Sequence, residues 1–201
     1  MTTKMISSKD ISELRARTGA GMMDCKRALE EANGNMEKAI ELLRAKGIAK
    51  AEKRAGRSAS QGLVVSYLHH NSQLGVLLEL NSETDFVART DEFGQLARDI
   101  ALHIASADPI GINPEDIPAE TIQRERRIAE EQVAGEGKPE AIRAKIVEGK
   151  IRKFIAERTL LEQPFARDES KTVGEMVKEV SGKLGEAVVV KRFARFKIGE
   201  A

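Results

Sequence analysis

The hydrophobic pattern of this chain changes period at Gly62, and that change limits the folds open to it. Up to about residue 46, apolar residues recur every three or four positions, the spacing of a helix with one buried stripe, and no large apolar residue follows Ile48 before Gly62. After it, LVVSYLHH and LGVLLELN are rich in Val, Leu and Tyr, with the turn-like Asn71-Ser72-Gln73 between them, the mark of a β-hairpin. A helical opening followed by strands and then more helices predicts an α+β chain and excludes an all-helical bundle.

Three short helices are expected before residue 47. Ser8 can cap the first, and Ile11 and Leu14 share its inner face. Thr18-Gly19-Ala20-Gly21 allows a tight reversal. Met22 to Ala32 carries Met22, Cys25 or Lys26, and Leu29 at helical spacing, and Asn33-Gly34 ends it. Asn35 can cap the third helix, with Ala39, Leu42 and Leu43 inward, and Gly47 is expected to stop it. The domain division that follows is 1–47 for a three-helix module, 48–61 for a basic linker able to open in helix, and 62–201 for an α+β core.

Within that core, SETDFVART is expected as a loop, and Thr90 caps a helix running to about Ala107. Residues 108–118, with three prolines, form a connector. A helical hairpin covers about 119–157: Ala119 to Ala134 and Pro139 to Glu157, joined by Gly-Glu-Gly-Lys, packed along a narrow seam because QRERRIAEEQ has few apolar positions. Thr172 to Leu184 is a last helix, and residues 187–198, AVVVKRFARFKI, a third strand.

Composition bears on function chiefly by exclusion. The 33 basic and 32 acidic residues leave a net charge of +1, without the basic excess of a nucleic-acid binder, although Lys46 to Arg57 is locally basic. Aromatic residues are 3% of the chain, too few for base stacking as a main binding mode. One cysteine, Cys25, precludes an intrachain disulfide. No apolar run approaches 18 residues and MTTKMISSKDIS lacks the apolar core of a signal peptide, so the expected compartment is the cytosol, with no membrane partner.

No enzyme constellation is visible. His69 and His70 would point to opposite faces of a regular strand, no Cys/His set has zinc spacing, and GxxxxGK[ST] and GxSxG are absent. Neither cofactor nor metal is expected. Two features remain. Met22 and Met23 lie about 100° apart on a helix, so one of them is expected at the surface, where methionine makes adaptable apolar contacts; both wrapping the core edge is the alternative. Phe86, within Thr84-Asp85-Phe86-Val87, either folds back onto the core or stands out as an anchor for a partner.

TGAGMMDCKRALEEANGNMEKAIELL and ELNSETDFVA resemble the two signature segments of the elongation factor Ts family. GKPEAIRAKIVEGKIRKF, LLEQPF, SKTVGEMVKE and VVKRFARFKIGE resemble that family's core, in order, over nearly the whole chain. The resemblance implies a short, single-core member: a UBA-like three-helix module, then an α+β core with a three-stranded antiparallel sheet and a helical hairpin. It implies a non-enzymatic guanine nucleotide exchange factor whose partner is elongation factor Tu, GDP-bound or nucleotide-free, without direct nucleic-acid contact. Thr84, Asp85, Phe86 and Val87 match the motif associated with Mg²⁺ dislocation. Arg15, Met22 and Met23 match contacts of the N-terminal module, and His69 a contact of the core. Short members are expected to form homodimers. Where some have a cysteine in the last strand this chain has Ala194, so the expected dimer is non-covalent. Two other readings stay open on the residues alone: a ubiquitin-like-domain adaptor using the first module, and an RNA binder using the basic linker and KRFARFK.

Overall fold

Local chemistry explains most of the element boundaries. The computed structural model describes residues 6–54, 56–135, 137 and 139–200. Helix α1 is Ser8–Thr18, α2 Met22–Glu31 and α3 Met36–Glu52. The first cap is Ser7, one residue before the expected Ser8: its hydroxyl accepts from the Asp10 N–H at 3.2 Å, and the Asp10 carboxylate accepts from the Ser7 N–H at 3.0 Å, a complete capping box. Gly19 ends α1 at φ +67°, Gly34 donates back to the Leu29 carbonyl at 2.8 Å, and the Asn35 side chain accepts from the Lys38 N–H.

Gly47 does not end the third helix, which continues to Glu52. A mid-helix glycine lowers helix stability by about 1 kcal/mol relative to Ala, but this turn of α3 is packed closely against Gly182 of α8 (Val173–Leu184), which holds it helical. Leu14, Cys25, Ala28, Leu29, Ala32, Ala39 and Leu43 form the core of the three helices, lined by Ile6, Ile11, Ala20, Met36, Ile40 and Leu42.

Strands β1 (Gln61–Leu68), β2 (Leu74–Ser82) and β5 (Val188–Lys197) make a three-stranded antiparallel sheet in the order β1-β2-β5. Ser72 at φ +57° makes the turn of the first hairpin, and the His69 N–H donates to the Leu74 carbonyl at 2.9 Å. Instead of the expected loop, Asp85–Ala88 is a single helical turn, α4, because Thr84 caps it. Thr90 caps α5 (Asp91–Ala107), accepting from the Phe93 N–H at 3.3 Å. α6 (Ala119–Ala134) and α7 (Glu140–Arg158) form the expected hairpin over the seam Ala129, Val133, Val147 and Ile151. Pro139 stands just outside α7 as its cap, not as its first residue. Thr172 and Glu175 cap α8 reciprocally at 3.0 and 3.1 Å.

A second, two-stranded sheet, β3 (Pro164–Phe165) with β4 (Asp168–Thr172), has no counterpart in the sequence reading. DESKT lacks apolar alternation, and the pairing is held by buried Phe165 and by His103. His103 is 2% exposed; its Nδ1 accepts from the Ala166 N–H at 3.2 Å, so its Nε2–H donates to Gln163 Oε1 at 2.9 Å. Gln163 Nε2 in turn donates to the Glu157 and Ala107 carbonyls. Burial pushes the His103 pKa below its ordinary value, against an opposing effect of the Gln163 bond.

The chain divides into two compact units: Met1–Leu63 with Leu80–Leu96 and Val177–Val189, and Val64–Glu79 with Ala97–Met176 and Val190–Ala201. The three N-terminal helices and α4 belong to the first, the α6–α7 hairpin and the β3–β4 sheet to the second. Among the described residues no helix is long and apolar enough to cross a membrane.

Candidate functional site

The α4 turn presents one aromatic ring to solvent on a rigid mount. Phe86 is 79% exposed, while its neighbour Val87 is 6% exposed and Ala88 is buried beside it. Successive helical residues diverge by about 100°, so the inward Val87 drives Phe86 outward. The alternative that Phe86 folds back onto the core is therefore excluded. Val87 instead anchors the turn from within, out of reach of a partner as long as the turn is intact.

Four hydrogen bonds also hold the turn. The Thr84 hydroxyl accepts from the Val87 N–H at 3.4 Å and donates to Glu186 Oε1 at 2.7 Å. The Thr84 N–H donates to Glu186 Oε2 at 3.0 Å, and the Ser82 hydroxyl donates to the Thr84 carbonyl at 2.8 Å. The adjacent Glu83 accepts from the Ala187 N–H at 2.8 Å and pairs with Arg57 at 3.4 Å. Hydrogen bonds to a carboxylate are stronger than neutral ones. Sequence reasoning missed Glu186: its partner lies 102 positions earlier, and a single glutamate after a helix-ending Gly185 carries no local signal. Asp85 is exposed and pairs with Arg89 at 2.9 Å across one turn.

At the start of α2, Met22 is 46% and Met23 64% exposed. Both stand at the surface, where one was expected, because Cys25, Ala28 and Leu29 already fill the inward face. Arg15 on α1 is exposed as well. Cys25 is fully buried, its Sγ 3.6 Å from the Ala20 carbonyl. Arg15, Met22, Met23 and Thr84 to Val87 all belong to the first compact unit, whereas His69 belongs to the second.

His69 follows the last residue of β1, so the strand rule that would separate it from His70 does not apply. The two rings lie 4.2 Å apart, and the His69 Nδ1 is 2.9 Å from the Tyr67 hydroxyl. Among the described residues no group of three or more His, Cys, Asp or Glu side chains is arranged to hold a metal ion.

Most cations of the two basic segments pair with acids nearby. Lys46 pairs with Glu31 at 2.7 Å and Lys50 with Asp24 at 3.1 Å. Lys50, then Arg27, hold the Asp24 carboxyl below its usual pKa. In the last strand Arg192 pairs with Glu79 at 2.6 Å, Arg195 with Asp108 and Glu200, and Lys197 with Glu200. A phosphate backbone would have to displace these carboxylates, which weighs against the RNA-binding reading.

The family model described as elongation factor TS matches residues 2–200. The chain is 55% identical over 196 residues to elongation factor Ts of Thermosipho melanesiensis, covering 98% of this chain and 100% of that protein. It is 53% identical over 195 residues to that of Fervidobacterium nodosum, covering 97% and 99%. It is 55% identical over 196 residues to that of Carboxydothermus hydrogenoformans, covering 98% and 90%. With its signature segments matched inside an alignment that runs almost end to end, the chain belongs to the elongation factor Ts family of translation elongation factors.

Proposed function

We propose that this protein is the guanine nucleotide exchange factor of elongation factor Tu, gripping the GTPase with its N-terminal helices and wedging Phe86 beside the magnesium site. The observation that carries the reading is an exposed aromatic ring on a turn fixed by Val87 and Glu186. A side chain with no packing role in its own fold, held on a preorganised mount, is suited to insertion into a partner.

The mechanism needs no catalytic side chain, no cofactor and no resident metal. The factor binds nucleotide-free GTPase more tightly than the GDP form, and by linkage it weakens GDP by the same ratio. A coupling of about 4 kcal/mol is roughly a thousandfold. Mg²⁺ demands near-ideal octahedral geometry, so a ring pressed beside the partner's magnesium site, with the Asp85 carboxylate next to it, opposes retention of the ion and of the phosphates it bridges. Met22 and Met23, with Arg15, supply affinity, and His69 a further contact from the core.

We also infer a non-covalent homodimer acting in the cytosol. Val64 and Leu68, on one face of β1, and Leu77 and Phe196 are large apolar residues exposed on the sheet, and Ala194 removes the covalent option. The test of the function is release of labelled GDP from purified elongation factor Tu with and without this protein. Acceleration is expected, and an unchanged release rate at saturating protein overturns the reading.

A further inference from the structure

The end of α8 and the two residues after it touch elements that carry both segments assigned to the partner: the Gly19 turn that leads into Met22-Met23, and the Thr84 cap of the Phe86 turn. Gly182 lies against the backbone of α3: a Cβ placed on it would sit 2.7 Å from the Gly47 carbonyl oxygen and 2.8 Å from the Gly47 Cα. No side chain fits there without moving one helix. The reverse is not true, since a Cβ on Gly47 would lie 3.9 Å from the Gly182 Cα, an ordinary contact. Ion pairs flank the crossing on both sides: Arg44 with Glu179, and Glu52 with Lys178 at 2.9 Å. The next residue, Lys183, pairs with Glu92 of α5 at 2.5 Å, and its stem lies over Gly19, the left-handed residue before α2. Four positions beyond Gly182, Glu186 receives both donors of Thr84.

We propose that the segment Gly182–Glu186 is a positioning junction that sets the distance between the methionine pair and Phe86, with Gly182 as its determining residue. Within these five residues, Gly182, Lys183 and Glu186 contact α3, the α1–α2 turn, α5 and the α4 cap. This rests on the exchange reading above. A two-point grip transmits strain to a nucleotide site only if its points are held apart rigidly, because a loose link dissipates binding energy as motion. Helix propensity alone says the opposite of this geometry. It predicts that Ala at Gly182 and at the open mid-helix Gly149, where an added Cβ meets nothing within 4 Å, stabilises the chain in the same way.

The experiment has two arms. In the first, spin labels on Ala16→Cys and Arg89→Cys, both exposed, report the distance from α1 to the α4 turn by pulsed electron resonance; Cys25 is buried and does not compete. The full-length protein should give one narrow distribution, and Gly182→Ala should shift or broaden it, while Gly149→Ala leaves it unchanged. In the second, Gly182→Ala should slow GDP release stimulated by a subsaturating concentration of factor by about tenfold. The same change in a Met22→Ala/Met23→Ala background should add less than about twofold, the signature of a residue acting through that pair. If Gly182→Ala does not fold, Lys183→Ala, which keeps the crossing but removes the contacts to Glu92 and Gly19, should broaden the distribution and slow release by a few fold. An unchanged distance distribution in the folded variants overturns the junction, whatever the exchange assay gives. A factor that never stimulates release, yet shows the shifted distance, overturns the exchange reading and leaves the junction standing.

Discussion

The methionine pair and the Phe86 turn are both exposed apolar features, yet they are mounted in different ways. Met22 and Met23 open α2 behind Gly21, which contributes no side-chain cap, and both are unbranched and flexible. Phe86 stands on a capped turn fastened by Thr84, Val87 and Glu186. An adaptable contact secures affinity across small mismatches, whereas a contact that must deform its partner has to resist deformation itself. On the exchange reading proposed above, that difference gives binding to the first region and exchange to the second.

Phe86→Ala separates the two most sharply. It should lower stimulated GDP release by about ten- to a hundredfold, from the roughly 1.5–3 kcal/mol a buried Phe contributes in the complex. The factor's own stability should stay within about 0.5 kcal/mol, since the ring is not packed in the free protein. A melting point far below wild type would refute the mounting described here. Glu186→Ala attacks the mount and leaves the ring. It removes two hydrogen bonds to a carboxylate near the surface, so about 1 kcal/mol, or roughly a fivefold loss of exchange, is expected. Wild-type exchange in that variant would mean that α4 holds its shape unaided.

Met22→Ala and Met23→Ala should each raise the half-saturating concentration of factor by about two- to fivefold, leaving the maximal release rate near wild type. A fall in the maximal rate instead would erase the division of labour. The smallest effect concerns neither region. Neither segment contains a histidine, whereas the other compact unit buries His103, whose pKa burial lowers. Its native pKa is lowered, so the unfolded chain binds the proton first as pH falls through the ordinary histidine value of about 6.5. Its stabilising contribution is therefore complete above that value and is lost progressively below it. Melting temperature should decline modestly from pH 7.5 to 5.5, and His103→Gln should flatten that decline. A pH-independent melting curve for the wild type would contradict the neutral, doubly bonded histidine.

Much of the architecture was legible because it rests on local chemistry. Asn35, Thr90 and Asn33-Gly34 act where a cap or stop was expected, and the hairpins follow from period and turn residues. The errors share a cause. Gly47 was read by its propensity and is retained inside a helix by packing against Gly182. SETDFVART looked like a loop because the carboxylate that fixes its Thr84 cap comes from residue 186. DESKT looked like no strand because its partner, Pro164–Phe165, is two residues long and is supported by His103.

From the sequence alone came the family, the α+β order of elements and the two segments singled out as candidate partner contacts, since signature residues, hydrophobic period and caps are properties of neighbouring positions. Only the tertiary structure decided that Phe86 points outward while Val87 points in, that both methionines are exposed, and that most cations of the basic runs are paired with acids. Those outcomes depend on which distant backbone or carboxylate occupies the space beside a residue. Burial and pairing are set by the competition of remote groups for that space, and the order of residues along a chain does not contain its result.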